Sequence, residues 1–151
     1  MEVSELCGRN LVTVPAGAPV IEAARLMQEH KVGAVIVTAA RADNPIAVGV
    51  LTDRDIVRAQ LDRAVDMAQM RIADVMSADP LVLTEKTPVE EAIHRMRTRG
   101  VRRAPVAGPG GQLIGVISFD DLLAHVSAEL AQLAHLTAPS KQPAGAACAR
   151  R

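Results

Sequence analysis

The chain has 151 residues, 49% of them hydrophobic, and its 17 basic and 17 acidic residues give a formal net charge of zero. This length and composition fit a folded chain with a real core. The neutral balance does not point to DNA or acidic membranes as partners. With no Trp or Tyr and one Phe, the chain also lacks the aromatic platforms that bind single-stranded nucleic acid. We therefore expect neither nucleic acid nor a membrane as a partner.

The sequence shows no pattern of export, of a membrane span or of a metal site. Its start, MEVSELCGRN, is acidic and lacks the apolar centre of a secretion signal. The longest apolar stretch, Val32–Ala40, is too short to cross a bilayer. Cys7 and Cys148 lie near opposite ends of the chain, which argues against a disulfide framework, and the four histidines lack metal-ligand spacing. We expect a protein of the reducing cytoplasm that holds no metal.

The first half of the chain alternates short apolar runs with helical patterns. Apolar runs bounded by turn residues predict strands, and apolar residues at i, i+3, i+4 and i+7 predict amphipathic helices. The predicted elements are, in order, a strand over Leu11–Val14, a helix through Val20–Met27, strands over Ala34–Thr38 and Ala47–Leu51, and a helix after Thr52.

The second half repeats this order. A shift that places Pro19-Val20 on Pro88-Val89 also places Met27 on Met96, and an internal repeat of this kind indicates two copies of one unit. The segment GPGG at 108–111 is predicted to be a turn, because neither a Lys-Ser/Thr pair nor a helix follows it as in a phosphate loop. The predicted elements are a strand over Leu81–Thr84, a helix through Val89–Met96, strands over Arg103–Val106 and Leu113–Ile117, and a helix after Ser118.

These patterns predict an α/β (α+β) fold made of two β-α-β-β-α repeats. One repeat is too small to cover its own apolar sheet, so the two are expected to pack face to face about a pseudo-twofold axis. We place the first repeat at residues 1–62, a partly helical linker at 63–75 and the second repeat at 76–133. The tail, 134–151, is rich in Pro, Ala and Gly beyond residue 138 and is predicted to be flexible.

A hydroxyl followed three residues later by an aspartate occurs at matched places in the two repeats. Thr52 and Asp55 stand in GVLTDRDIV, and Ser118 and Asp121 stand in GVISFDDLL. Such a pair is typical of a helix-capping box. A helix start also suits a phosphate, an aspartate one turn in can accept from ribose hydroxyls, and the preceding glycine could let a flat base approach the strand. The spacing leaves both interpretations open.

The same stretches carry a resemblance. Together with VMSADPLVL (75–83) and GVRRAPV (100–106), they resemble a tandem pair of CBS (cystathionine beta-synthase) domains of the small stand-alone bacterial type, over residues 3–130. The resemblance implies one cleft per repeat for an adenosine-containing ligand, with Asp55 or Asp121 at the ribose and Thr52 or Ser118 at the phosphate.

The resemblance also implies further contacts, which differ between the repeats. The base would lie against Val14, Gly33 and Ala34 in the first repeat. In the second repeat it would lie against Leu83, Arg102 and Arg103, whose two arginines would reach phosphates. Because Gly33 and Ala34 replace the arginines, the first cleft would need Lys31 or Arg54 for a phosphate. Arg54 could equally pair with Asp53 or Asp55.

The expected function is therefore that of a regulatory sensor and not of an enzyme. Its ligand would be AMP, ADP or ATP, with S-adenosylmethionine or NADH as alternatives. It would act as a homodimer and signal to an unknown regulated protein by a conformational shift. The alternative hypothesis is a dimerisation or docking module with degenerate clefts that bind no ligand.

Overall fold

The computed structural model describes residues 1–39 and 43–137. In this part of the chain five α-helices accompany two sheets, one of four strands and one of three. In chain order the elements are α1 (Val3–Leu6), β1 (Thr13–Pro15), α2 (Val20–His30), β2 (Ala34–Thr38), β3 (Ala47–Thr52), α3 (Asp53–Arg63), a 3₁₀ helix (Ile72–Asp74), β4 (Ser77–Ala78), β5 (Leu83–Thr84), α4 (Val89–Arg99), β6 (Arg103–Ala107), β7 (Leu113–Ser118) and α5 (Phe119–Thr137).

The α/β fold and the predicted order of elements are confirmed in both repeats. β2 has its predicted bounds, whereas β1 and β5 begin later than predicted. The GPGG turn joins β6 to β7, with the Gly111 amide donating to the Gly108 carbonyl at 3.0 Å. Residues 134–137 belong to α5, and the rest of the predicted tail lies outside the described residues. No helix in the described ranges is long and apolar enough to span a membrane.

Each sheet carries two helices on one face. In the first repeat β2 runs parallel to β1 and antiparallel to β3, and in the second β6 has the same relation to β5 and β7. Apolar side chains of α2 and α3 bury this face of the first sheet, and those of α4 and α5 bury the second. The fully buried strand residues in these two clusters are Val14, Val35, Val37 and Leu51 in the first and Leu83, Ala104, Val106 and Ile117 in the second.

The short segments before each repeat are exchanged between the sheets. α1 packs on the second sheet, where Val3 is fully buried and its amide donates to the Thr87 carbonyl at 2.9 Å. The matched 3₁₀ helix packs on the first sheet through Ile72, and β4 then pairs with β3. The core of each repeat therefore includes a short segment from the start of the other repeat. These segments are α1 in the second core and the 3₁₀ helix in the first.

The second face of each sheet is buried without helices. Several strand residues there are almost inaccessible to solvent yet belong to neither helix-covered cluster. A direct bond joins the repeats on this side, since the Leu113 amide donates to the Pro45 carbonyl at 2.8 Å. This burial is what two sheets that face each other would produce. The residues concerned are Ile36, Thr38, Pro105, Ala107 and Leu113.

Candidate functional site

Each repeat ends its last long strand in a hydroxyl–carboxylate pair at a helix start. In the first repeat Asp55 Oδ2 accepts from the Thr52 amide at 3.0 Å and from the Thr52 hydroxyl at 2.8 Å. In the second, Asp121 Oδ2 accepts from the Ser118 amide at 2.8 Å and hydroxyl at 2.6 Å. The aspartate amide donates back to the hydroxyl oxygen at 3.2 Å in both repeats. Both pairs are capping boxes, so the structural interpretation of the motif holds.

In each capping box, one oxygen of the aspartate carboxylate has no partner among the described residues and could bind a ligand. Among the described residues each carboxylate uses only Oδ2, so Oδ1 of Asp55 and of Asp121 can still accept from an external hydroxyl. The hydroxyl protons of Thr52 and Ser118, in contrast, are directed at the carboxylates. While the boxes are closed, these hydroxyls cannot donate to a phosphate.

The residues expected beside each pair do lie there. Ala34 is the register partner of Thr52 across β2 and β3, and Arg103 is the partner of Ser118 across β6 and β7. The residues just before these partners are bonded to the helix starts as well. The Asp53 amide donates to the Gly33 carbonyl at 3.0 Å, and the Phe119 amide donates to the Arg102 carbonyl at 2.8 Å.

A residue that the sequence analysis did not consider for the site, Asp53, occupies the first helix start. Its Oδ1 accepts from the Arg54 amide at 2.7 Å, and its Oδ2 would lie 3.2 Å from a Cβ added at Gly33. A carboxylate therefore covers the free amide of α3 and the space beside Gly33. Its negative charge disfavours a phosphate there. The sequence shows the aspartate, but only the side-chain direction shows that it caps its own helix.

The matched position in the second repeat is Phe119, whose side chain cannot accept a hydrogen bond. The next amide, that of Asp120, forms no hydrogen bond with any residue in the described ranges. An unpaired amide in the first turn of a helix is an anion-binding group. The two helix starts thus share the capping motif but differ in the residue after the hydroxyl. Asp53 covers the next amide of its helix, whereas Phe119 cannot.

Two arginines near the second helix start, Arg102 and Arg103, add to the difference between the two helix starts. The Arg102 guanidinium carbon lies 4.8 Å from the centroid of the Phe119 ring, within the range of a cation–π contact. Arg103 is exposed, and its side chain forms no hydrogen bond or ion pair within 1–39 and 43–137. One guanidinium group thus contacts the first residue of α5, and a second arginine lies at the start of β6, opposite Ser118.

The first cleft does not have equivalent cations in place. Arg54 is exposed, and within the described structure its guanidinium pairs with neither Asp53 nor Asp55. Lys31 is exposed at the end of α2 in the left-handed conformation, with φ 55°. Neither of the predicted ion pairs of Arg54 is formed in this geometry.

The two strand residues expected to support the base, Val14 and Leu83, do not lie on the same face of the sheet as Thr52 and Ser118. Val14 and Leu83 are 1% and 0% exposed and pack in the helix-covered clusters. Their side chains therefore point away from the face that carries Thr52 and Ser118. Thr13 and Val82, the neighbours of opposite orientation, are half-buried instead. Contact with a base stays a prediction for Val14 and Leu83.

The glycines before the pairs serve the chain itself and not a ligand. A Cβ at Gly49 would lie 2.5 Å from Met76 Sδ, and one at Gly115 would lie 2.8 Å from Cys7 Sγ. The residues that follow the 3₁₀ helix and α1 thus pack against β3 and β7 at these two glycines. The hypothesis that these glycines admit a flat base is wrong, because a neighbouring segment already fills the space.

The remaining titratable groups do not add a second reactive centre. Cys7 is half-buried, and burial raises the pKa of its thiol, opposed by the positive charge of Arg9. A raised pKa makes the thiol less reactive at neutral pH. In the part of the chain that the structure covers, no three His, Cys, Asp or Glu residues are grouped so that they could hold a metal ion.

Fold and site together define a tandem module of two α/β repeats with one helix-start pair each. The family model for the CBS domain matches the chain twice, at residues 3–62 and 72–128. The chain therefore belongs to the CBS-domain family, which confirms the resemblance read from its motifs.

Known proteins of this kind are similar over most of the chain. A CBS domain protein from Pyrobaculum aerophilum complexed with AMP is 32% identical, with a TM-score of 0.74, over 87% of this chain and 99% of that one. A hexameric CBS-CP12 protein from bloom-forming cyanobacteria is 31% identical, with a TM-score of 0.68, over 82% and 69% of the two chains. An uncharacterized protein of Methanopyrus kandleri is 30% identical over 123 residues, which span 82% of this chain and 61% of that relative.

Proposed function

We propose that the chain is a regulatory module that binds an adenine nucleotide beside the Ser118–Asp121 pair. The observation that carries this proposal is the set of unused groups at one helix start. Asp121 Oδ1 can accept from ribose hydroxyls, and the Asp120 amide can donate to a phosphate. The guanidinium groups of Arg102 and Arg103 add charge-assisted bonds to the phosphate.

The ligand we favour is AMP, ADP or ATP. The AMP complex of the Pyrobaculum aerophilum relative supports this choice, and S-adenosylmethionine and NADH remain alternatives. At the first cleft the Asp53 carboxylate opposes a phosphate. That cleft would accept an adenosine group only through Asp55, Thr52 and the backbone at Gly33 and Ala34, without an adjacent phosphate.

The signal would begin at Arg102. A phosphate beside the Asp120 amide competes with the Phe119 ring for the Arg102 guanidinium, because both attract the same cation. Release of Phe119 would alter the surface of α5. Such a change regulates a partner only if the nucleotide binds the two arrangements with different affinity. We propose a homodimer that acts in this way in the cytoplasm on a protein still to be identified.

A thermal-shift screen tests the proposal. A ligand present at 100 times its dissociation constant adds about 2.7 kcal/mol to the stability of the folded state. We expect AMP, ADP or ATP to raise the melting temperature, and adenosine to raise it less because it lacks the phosphate. GTP and inorganic phosphate are the matched controls. If none of the adenine compounds, including S-adenosylmethionine and NADH, changes the melting temperature, the proposal is wrong.

A second candidate function, a docking module that binds no ligand, has one observation in its favour. Large apolar side chains remain exposed along α5, among them Leu130 at 61% and Leu133 at 59%. Such a surface favours contact with another protein. The same screen separates the two candidates, since a docking module would respond to no nucleotide.

A further inference from the structure

The N-terminal segment brings a third arginine to the second repeat. Gly8 pairs with Val116 of β7, since the amide of each donates to the carbonyl of the other, at 3.0 and 3.1 Å. In an antiparallel pair the residue after Gly8 comes opposite the residue before Val116, so Arg9 starts beside Gly115. Arg9 is exposed, and its guanidinium forms no hydrogen bond or ion pair with the described residues. A cationic side chain without a partner therefore starts beside the last strand of the second repeat.

The half-buried thiol of Cys7 lies near both Arg9 and Asp121. Burial raises the pKa of this thiol, the positive charge of Arg9 opposes the rise, and the negative charge of Asp121 adds to it. A charge changes a pKa only from nearby. The same sulfur would lie 2.8 Å from a Cβ added at Gly115, on the strand that ends in Ser118. Arg9 and the Ser118–Asp121 pair therefore belong to one neighbourhood around the start of α5.

The first repeat has no cation at the place that matches Arg9. β4 pairs with β3 in the same register as Gly8 with Val116, which gives Ala78 the position of Arg9. Arg9 stands in the sequence of the first repeat, but the exchange of segments places it on the second sheet. Each arginine near the second pair is thus matched by a small uncharged residue near the first. The matched residues are Arg9 and Ala78, Arg102 and Gly33, and Arg103 and Ala34.

The acidic residues do not cancel this contrast. Each helix start contains two carboxylates, and the segments packed beside them bring one acid each, Glu5 on α1 and Asp74 on the 3₁₀ helix. The cations near the first helix start are Arg54 and Lys31, whereas three arginines stand near the second. The second repeat therefore has one cation more for the same number of acids. The helix-start carboxylates are Asp53 and Asp55 in the first repeat and Asp120 and Asp121 in the second.

We propose that Arg9 binds the outer phosphates of a nucleotide held by the Ser118–Asp121 pair, so that the second repeat selects ATP and ADP over AMP. The inference rests on the proposed function and adds the number of phosphates to it. The first phosphate belongs beside the Asp120 amide. Arg9 starts beside Gly115, three residues or about 10 Å back along β7 from Ser118, so its guanidinium is placed for phosphates further along the chain. The planar guanidinium also fits a phosphate through two parallel hydrogen bonds.

Calorimetric titration of adenosine, AMP, ADP and ATP into the full chain and into Arg9→Ala tests the inference. We expect the wild type to bind ATP more tightly than AMP. Arg9→Ala should lower the ATP affinity about tenfold, because a charge-assisted bond is lost, while the affinities for AMP and adenosine change less than about twofold. Arg9→Lys keeps the charge but not the planar group, so its ATP affinity should lie between the two.

Arg25→Ala is the matched control, since it removes the same charge from an exposed position on α2. It should bind all four ligands as the wild type does. Because Arg9 is exposed, its replacement should leave the melting temperature without ligand unchanged, which verifies that the variant is folded.

The possible failures are distinguishable. An Arg9→Ala variant that loses ATP and AMP affinity equally, or that binds ATP as the wild type does, overturns the role of Arg9 and leaves the nucleotide site standing. A wild-type chain that binds AMP as tightly as ATP overturns the selectivity in the same way. A wild-type chain that binds none of the four ligands overturns the inference together with the nucleotide site on which it rests.

Discussion

At Asp121 the capping and the binding interpretations of the motif are compatible. One carboxylate oxygen closes the capping box with Ser118, and the other is left open. The sequence predicted the pair because a spacing of three residues at a helix start is readable from the letters alone. It could not predict which atoms stay unused, because that depends on side-chain torsions. For the same reason the sequence does not show that the Asp53 carboxylate accepts from the next amide of its own helix.

Phe119→Asp tests whether the open Asp120 amide binds phosphate. An aspartate at 119 should cap that amide as Asp53 caps the amide of Arg54, and it places a negative charge beside Arg102. We expect ATP affinity to fall about tenfold or more, since a charge-assisted bond is lost, while adenosine affinity changes less. Calorimetry measures both affinities.

Phe119→Leu is the control for this change, because it removes the ring without adding an acceptor. Its ATP affinity should equal or exceed that of the wild type, because the ring no longer competes with the phosphate for the Arg102 guanidinium. An aspartate variant that loses ATP and adenosine affinity equally would argue against a phosphate at this helix start.

Among the elements, the exchanged segments could not be predicted from the repeat. Shifting one half onto the other matches Val3–Cys7 with Ile72–Met76 but does not say which sheet each covers. The outcome depends on long-range contacts, such as Val3 with the second core and Ile72 with the first. The glycines at 49 and 115 are explained by this packing, which brings the side chains of Met76 and Cys7 against them.

Gly115→Ala should therefore destabilise the fold without touching the site. The new methyl group would lie 2.8 Å from Cys7 Sγ and 3.0 Å from the Gly8 carbonyl oxygen. We expect a loss of about 1–3 kcal/mol in the free energy of unfolding, which is typical of overpacking. Urea denaturation provides the measurement.

Gly17→Ala serves as the control, because nothing lies within 4 Å of its added Cβ. Its stability should equal or slightly exceed that of the wild type. Adding Cys7→Ala to Gly115→Ala should recover part of the loss, since the backbone contact with Gly8 remains. Equal stability of Gly115→Ala and the wild type would mean that Cys7 and Gly8 do not pack against β7 at this glycine.

For the molecule as a whole, the order of strands and helices in the two repeats could be predicted from sequence. The reason is that periodic apolar patterns determine which face of each element is buried. The chemical difference between the two helix starts could be predicted only in part. The sequence itself shows Arg102 and Arg103 in the second repeat at the positions that Gly33 and Ala34 occupy in the first. The larger difference is between Asp53 and Phe119. It depends on the direction of the Asp53 carboxylate, which only the structure shows.

Calorimetric titration of ATP into Asp55→Ala and Asp121→Ala tests the nucleotide site itself. Each change removes one of two equivalent capping boxes, so each should cost a similar amount of stability, about 0.5–2 kcal/mol, and each is the control for the other. We predict that Asp121→Ala loses about 1–3 kcal/mol of ATP binding free energy, whereas Asp55→Ala binds ATP nearly as the wild type does. Equal ATP affinity in the wild type and both variants, or a larger loss in Asp55→Ala, would contradict a nucleotide site at the second repeat.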